Sequence, residues 1–136
     1  MHVFKAAMYA FLSASYVARS GNRGPIQGRV IAAENGTPIE YLLKVLQSIV
    51  RGQIMRSDTG RRGGYTLRRP PRNIRLVDII EAADGPLAAK LPATAWPESS
   101  RDVVDRLRMI SESILQFGHQ LYSERSLETL ITTDAA

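Results

Sequence analysis

Cysteine is absent from this sequence of 136 residues. Disulfide scaffolds, thiolate zinc sites, cysteine nucleophiles and cysteine-ligated iron–sulfur clusters are therefore excluded. Histidine is almost as scarce. Only His2 and His119 are present, too few for a histidine-rich metal site, so no cofactor is expected. No apolar run approaches the ~20 residues of a membrane span. The opening MHVFKAAMYAFLSASYVARS has no cleavage motif behind a proper apolar stretch. It reads as a helix rather than a secretory leader, and a cytoplasmic protein with no membrane partner is expected. Catalytic signatures are missing too. GRRGG is followed by Tyr65 and not by Lys-Ser, so no phosphate-cradling loop is formed. No local Ser–His–Asp pattern occurs, and the acids of the last third are spaced as a solvated helical face. An enzyme is not expected.

What is present is one domain's worth of chain, or a small domain with an appended element, at 44% hydrophobic and 23% charged residues. That suffices for a core without staples. The net charge of +5 hides an asymmetry: residues 1–72 carry twelve Lys/Arg against three Asp/Glu, and residues 73–136 carry six against ten. Between Arg51 and Arg72 there are seven arginines and a single acid, Asp58. Such clustering marks a surface for a polyanion, with nucleic acid the leading class.

The pattern predicts mostly helix with one small hairpin. Phe4, Ala7, Met8, Phe11, Leu12 and Ala18 recur at helical spacing. SGNRGP is a loop, and a short helix follows from Gln27 to Asn35, ended by Gly36. Thr37-Pro38-Ile39-Glu40 opens the next helix, with Thr37 and Glu40 expected to form a capping box. This helix is expected to bury Ile39, Leu42, Leu43, Leu46, Ile49 and Val50. Strands at Gln53–Ser57 and Tyr65–Arg68 flank a glycine-rich basic turn and form a hairpin. Together these make a winged helix-turn-helix. One more short helix is expected from Leu76 to Ala83.

From Asp84 to Ser100, three prolines break the pattern. A last helix, capped by Ser99, then carries Val103, Leu107, Ile110, Ile114, Phe117 and Leu121 at alternating four and three spacing, an a/d seam that needs a partner. The expected division is a winged helix domain over 1–85, a loop over 86–98, a dimerisation helix over 99–125 and a tail over 126–136. Trp96 has two readings: a wall for a small-molecule effector, or, favoured, a residue pinning the loop to the core. His119 is expected to be solvated.

A winged helix inserts its second helix into the major groove and lays its wing on the backbone or minor groove. The polar side of the second helix offers Glu40, Tyr41, Lys44, Gln47 and Ser48. Lys44 suits guanine or a phosphate and Gln47 suits adenine. Glu40 has the capping box as an equal alternative, and Tyr41 has packing against the wing as its own. In the wing, Gly60, Gly63 and Gly64 permit close approach to a phosphate backbone, and Arg61 and Arg62 put two guanidinium groups at the tip. Gln27, Arg29, Thr37, Arg56, Ser57, Thr59 and Tyr65 complete the expected DNA-contact set.

The run IAAENGTPIEYLLKVLQSIVRGQIMRS followed by GRRGGYTLRRPPRNIRLVDIIEAADGP resembles the Rrf-two family of bacterial winged-helix regulators, of which IscR, NsrR and CymR are members. The likeness centres on Ile31-Ala32, Pro38, Tyr41-Leu42, Ser57, Gly60, Gly63-Gly64-Tyr65, Leu67 and Asp78-Ile79, and extends over nearly the whole chain. It implies a transcription factor, usually a repressor, acting as a homodimer on a pseudo-palindromic operator in double-stranded DNA. It also implies a sensor segment before the long helix. Cluster-binding relatives carry three cysteines there, and Gly85–Pro97 has none, so control by a small-molecule effector or a protein co-regulator is expected instead. Where the family usually has Arg-Gly after the serine, this chain has Thr59-Gly60, and Arg61 or Arg62 is expected to serve. The alternative from another class is an interaction adaptor that uses the heptad helix and has only non-specific nucleic-acid affinity.

Overall fold

A computed structural model describes residues 5–21, 23–87 and 95–132. The first helix, α1 (Lys5–Arg19), turns a small-residue face inward: Ala7, Ala10, Ser13, Ala14 and Val17 are buried. Small side chains let its backbone approach its neighbours, with α4 as the main one. The bulky apolar residues behave differently from expectation. Met8 and Leu12 are exposed, Phe11 is partly buried against the core, and Phe4 lies outside the described residues. Ser13 satisfies its buried hydroxyl within the helix by donating to the Tyr9 carbonyl at 2.7 Å. The helix start is held from outside, where the Ala7 N–H donates to the Asp84 carboxylate at 2.8 Å.

α2 (Gly28–Asn35) ends at Gly36 in the left-handed conformation, φ 61°, where a side chain would be strained. The Gly36 N–H reaches the Ala33 carbonyl, and the Thr37 N–H reaches that of Ala32. α3 (Ile39–Arg51) packs on α2, α1 and α4. It buries Leu42, Val45, Leu46 and Ile49 at helical spacing, and these form the centre of the core together with Ile31, Ile54, Met55, Ile74 and Ile79. Two expectations for α3 are corrected. Ile39 and Leu43 are exposed, because the helix turns Val45 inward in their place. The capping box does not form: Pro38 takes the cap position without a side-chain bond, and the Thr37 hydroxyl donates backwards to the Asn35 carbonyl at 3.3 Å. Gly52 is required by packing, since a Cβ there would lie 2.5 Å from that of Ala82.

β1 (Met55–Asp58) and β2 (Gly64–Leu67) pair antiparallel with Met55 opposite Leu67 and Asp58 opposite Gly64. The hairpin is joined to the helix-turn-helix by a bridge on its other side: Tyr65 N–H donates to Ile26 at 2.8 Å and Ile26 N–H returns to Tyr65 at 3.1 Å. α4 (Leu76–Asp84) buries Leu76, Val77, Ile79 and Ile80.

Beyond Leu87 the described chain resumes at Ala95. Trp96 is 46% exposed, so the expected pin to the core is not made. Ser99 sits in a 3-10 turn (Glu98–Ser100), and neither it nor Ser100 caps the following helix with its side chain. α5 (Arg101–Glu124) is 24 residues long and buries none of them. Beyond it the chain returns to the domain, which corrects the reading of residues 126–131 as tail. The Leu76 N–H donates to Arg125 at 2.9 Å, the Leu127 N–H donates to Ile74 at 2.8 Å, and α6 (Leu127–Ile131) buries Leu127 completely. Leu127, Leu130 and Ile131 stand at helical spacing, but a run of five residues is too short to distinguish a docked helix from a frayed end. No helix among the described residues is long and apolar enough to cross a membrane.

Candidate nucleic-acid interface

The outer face of α3 is an ordered strip. Ile39, Glu40, Leu43, Lys44, Gln47 and Arg51 are exposed, on the side opposite the buried Leu42, Val45, Leu46 and Ile49. Glu40 lies in the first turn, where a carboxylate is favoured by the helix dipole whatever else it contacts. Ser48 is half-buried and donates to the Lys44 carbonyl at 3.1 Å, so its hydroxyl is partly spent on the helix itself. Tyr41 does not pack on the wing. Its ring meets Tyr9 edge-on at 5.4 Å, with the Lys5 ammonium 5.1 Å above it, so it ties α3 to α1. Thr37 is buried and offers little surface to a ligand.

At the start of α2, Gln27 accepts a hydrogen bond from the Arg29 guanidinium at 2.6 Å. The pair forms one polar unit beside the bridge to the wing. Gly28 admits close packing here: a Cβ would come within 3.0 Å of the Leu43 side chain and 3.4 Å of the Tyr65 ring. The start of α2, the middle of α3 and the second strand therefore meet at one point.

The wing divides into a tip and a base. Thr59, Gly60, Arg61 and Arg62 form the tip and are exposed, with Gly60 at φ 97°. Arg56 is mostly exposed and pairs loosely with Asp58 at 3.5 Å, a contact worth little in water. Ser57 is exposed beside it. Gly63 and Gly64 belong to the base, which revises their expected role. Gly63 is buried, and a Cβ on it would fall 2.3 Å from the Asp58 carbonyl oxygen; one on Gly64 would fall 2.5 Å from the Ile26 carbonyl carbon. Tyr65 is partly buried against the core. These three residues hold the hairpin in place, and of them only Gly63 is fully buried.

Not every arginine of the basic stretch is free. Arg69 donates to the Asn73 carbonyl at 2.9 Å and the Gln53 carbonyl at 2.8 Å, and lies 3.6 Å from the Asp78 carboxylate. It joins the exit of the wing to the end of α3, where Gln53 holds a left-handed φ of 65°. Arg75 also binds Asp78, at 2.8 Å. That hydrogen bond, with the carboxylate's charge, raises the guanidinium further above its ordinary range. Charge counting alone could not separate Arg69 from the arginines at the tip.

The second candidate surface is α5. Val103, Leu107, Ile110, Ile114, Phe117 and Leu121 are between 36% and 67% exposed, so the seam is left open by the described residues. His119 is half-exposed and also bonded, with Nε2 3.1 Å from Glu81 on α4. A groove of about 550 Å³ runs beside α5, lined by Leu87, Met109, Glu112, Gln116 and His119 among others. Trp96 is not among its lining residues. Residues 88–94 of the expected sensor segment lie outside the described residues.

The Rrf2 family model, described as an iron-dependent transcriptional regulator, matches residues 4–133. A Mycobacterium tuberculosis H37Rv protein named as an HTH-type transcriptional regulator is 29% identical over 123 residues, 85% of this chain and 76% of the relative. The structure of CymR, the global cysteine regulator of B. subtilis, matches with a TM-score of 0.68 at 22% identity, covering 96% of each chain. T. potens IscR matches with a TM-score of 0.66 at 21% identity, over 96% of this chain and 86% of that one. Iron raises a question of fit. The sequence has no cysteine, and among the described residues no three His, Asp or Glu side chains are grouped to hold a metal ion. Among the described residues, none form a set that fits an iron centre.

Proposed function

The chain belongs to the Rrf2 family of transcriptional regulators, and from that membership we propose that it is a sequence-specific, DNA-binding repressor that acts as a homodimer in the cytoplasm, by binding and not by catalysis. One observation carries the proposal. The arginine-tipped wing is hydrogen-bonded through Tyr65 and Ile26 to the start of the helix-turn-helix, so tip and α3 strip form one basic surface of fixed geometry. Glu40, Lys44 and Gln47 face the base edges. Arg61 and Arg62 at the tip take phosphates or a narrow minor groove, and Gln27, Arg29, Arg56, Ser57 and Thr59 flank the backbone.

The exposed seam of α5 is the surface for a second copy, which sets two α3 strips on a two-fold axis and makes the operator pseudo-palindromic. Without a metal centre, control passes to a small molecule or protein partner, with Trp96 as the exposed candidate contact.

The test is selection from random duplex DNA by the purified protein at two salt concentrations. A two-fold symmetric motif is expected, bound ~10³-fold more weakly at 200 mM than at 50 mM salt if about six phosphates are contacted. Retention that falls with salt but selects no sequence would leave only a non-specific basic surface. The interaction adaptor would then be the better reading.

A further inference from the structure

The α3 strip contains two residues that its polar neighbours do not explain. Ile39 is 39% exposed and Leu43 is 37% exposed. They lie one helical turn apart and so share a face, at the N-terminal end of the helix that a winged helix inserts into DNA. They are separated in sequence from the α5 seam, and more than a third of each residue's surface stays open to solvent. Glu40 and Lys44 stand directly beside them and Gln47 one turn further on, so the apolar pair sits inside a charged, hydrogen-bonding surface. Leu43 is also held in place, with its Cδ2 only 3.0 Å from where a Cβ on Gly28 would lie.

The occupant follows from chemistry and charge. The arginines of the wing and Lys44 favour a polyanion. In the major groove, one base presents an apolar group at its edge: thymine, through its 5-methyl. We infer that Ile39 and Leu43 read thymine 5-methyl groups, one contact set per half-site, and so help to fix the operator sequence. This rests on the DNA-binding reading above. It adds specificity-determining residues that hydrogen-bond inventories pass over.

The test replaces each thymine of the selected duplex in turn by deoxyuridine, which removes only the methyl. At one or two positions per half-site the wild-type protein should bind roughly fourfold more weakly, the worth of one buried methyl-sized group. Ile39→Ala or Leu43→Ala should bind thymine and uracil duplexes equally at those positions, with the salt slope unchanged. Both residues are surface-exposed, so the variants should fold, and the wild-type experiment stands without them. A selected motif with no thymine, or one in which no uracil replacement weakens wild-type binding, overturns the inference and leaves the DNA reading intact. Failure to select any motif overturns both.

Discussion

α3 and α5 are both amphipathic helices, and they dispose of their apolar residues in opposite ways. α3 buries Leu42, Val45, Leu46 and Ile49 in its own chain and leaves a mixed strip outside. α5 buries nothing, and all six residues of its apolar seam are exposed. Periodicity gives the presence of a stripe and not what covers it. α3 is only 13 residues long and surrounded by α1, α2 and α4, so its stripe is used up at once. α5 touches its own domain mainly through α4 and faces away along the seam. Its stripe is available to another chain.

The contrast is broken most directly by a charge. If a second copy covers the seam, Ile114→Glu buries a carboxylate in an apolar interface. That should cost on the order of 4 kcal/mol, about a thousandfold in the dimer dissociation constant. Sedimentation equilibrium would read it as loss of the dimer, with circular dichroism unchanged. Leu46→Ala makes the opposite cut, inside the chain, and should lower unfolding stability by ~3 kcal/mol in urea titrations. Arg61→Ala with Arg62→Ala should leave both stability and assembly unchanged. It should reduce the slope of log affinity against log salt by about two, and an unchanged slope would remove the tip from the contact set. Smallest of all, Asp105→Ala loses an exposed ion pair with Arg108 at 3.6 Å. Thermal unfolding should register less than ~0.5 kcal/mol.

Much of the fold was legible. Strong local signals located the helix-turn-helix and the hairpin: Asn35-Gly36 ending α2, Pro38 opening α3, and the glycine-rich turn between two short strands. Details of facing were not. A helix of alternating large and small residues can turn either set inward, and in α1 the alanines went in while Met8 and Leu12 stayed out, because close approach to α4 favours small side chains. The same ambiguity placed Ile39 and Leu43 in the core on paper and on the surface in the structure. Leu127 is completely buried, yet its helical spacing with Leu130 and Ile131 spans a single turn, too short to mark a docked element. In the candidate interface, charge counting found the basic region. It could not tell Arg61 and Arg62, which are exposed at the tip, from Arg69, whose guanidinium is bound to two carbonyls. Nor could it tell glycines that approach a ligand from Gly63 and Gly64, which are needed by the hairpin's own backbone.

The measurement that bears most directly on the account is the mass of the protein in solution at micromolar concentration, by sedimentation equilibrium. Two chains per particle are predicted, twice the 15.1 kDa of the single chain, with the Ile114→Glu variant at half that mass. A wild-type protein that stays at 15.1 kDa would leave the α5 seam uncovered and one α3 strip per particle. That result would contradict a regulator built to read a two-fold symmetric operator.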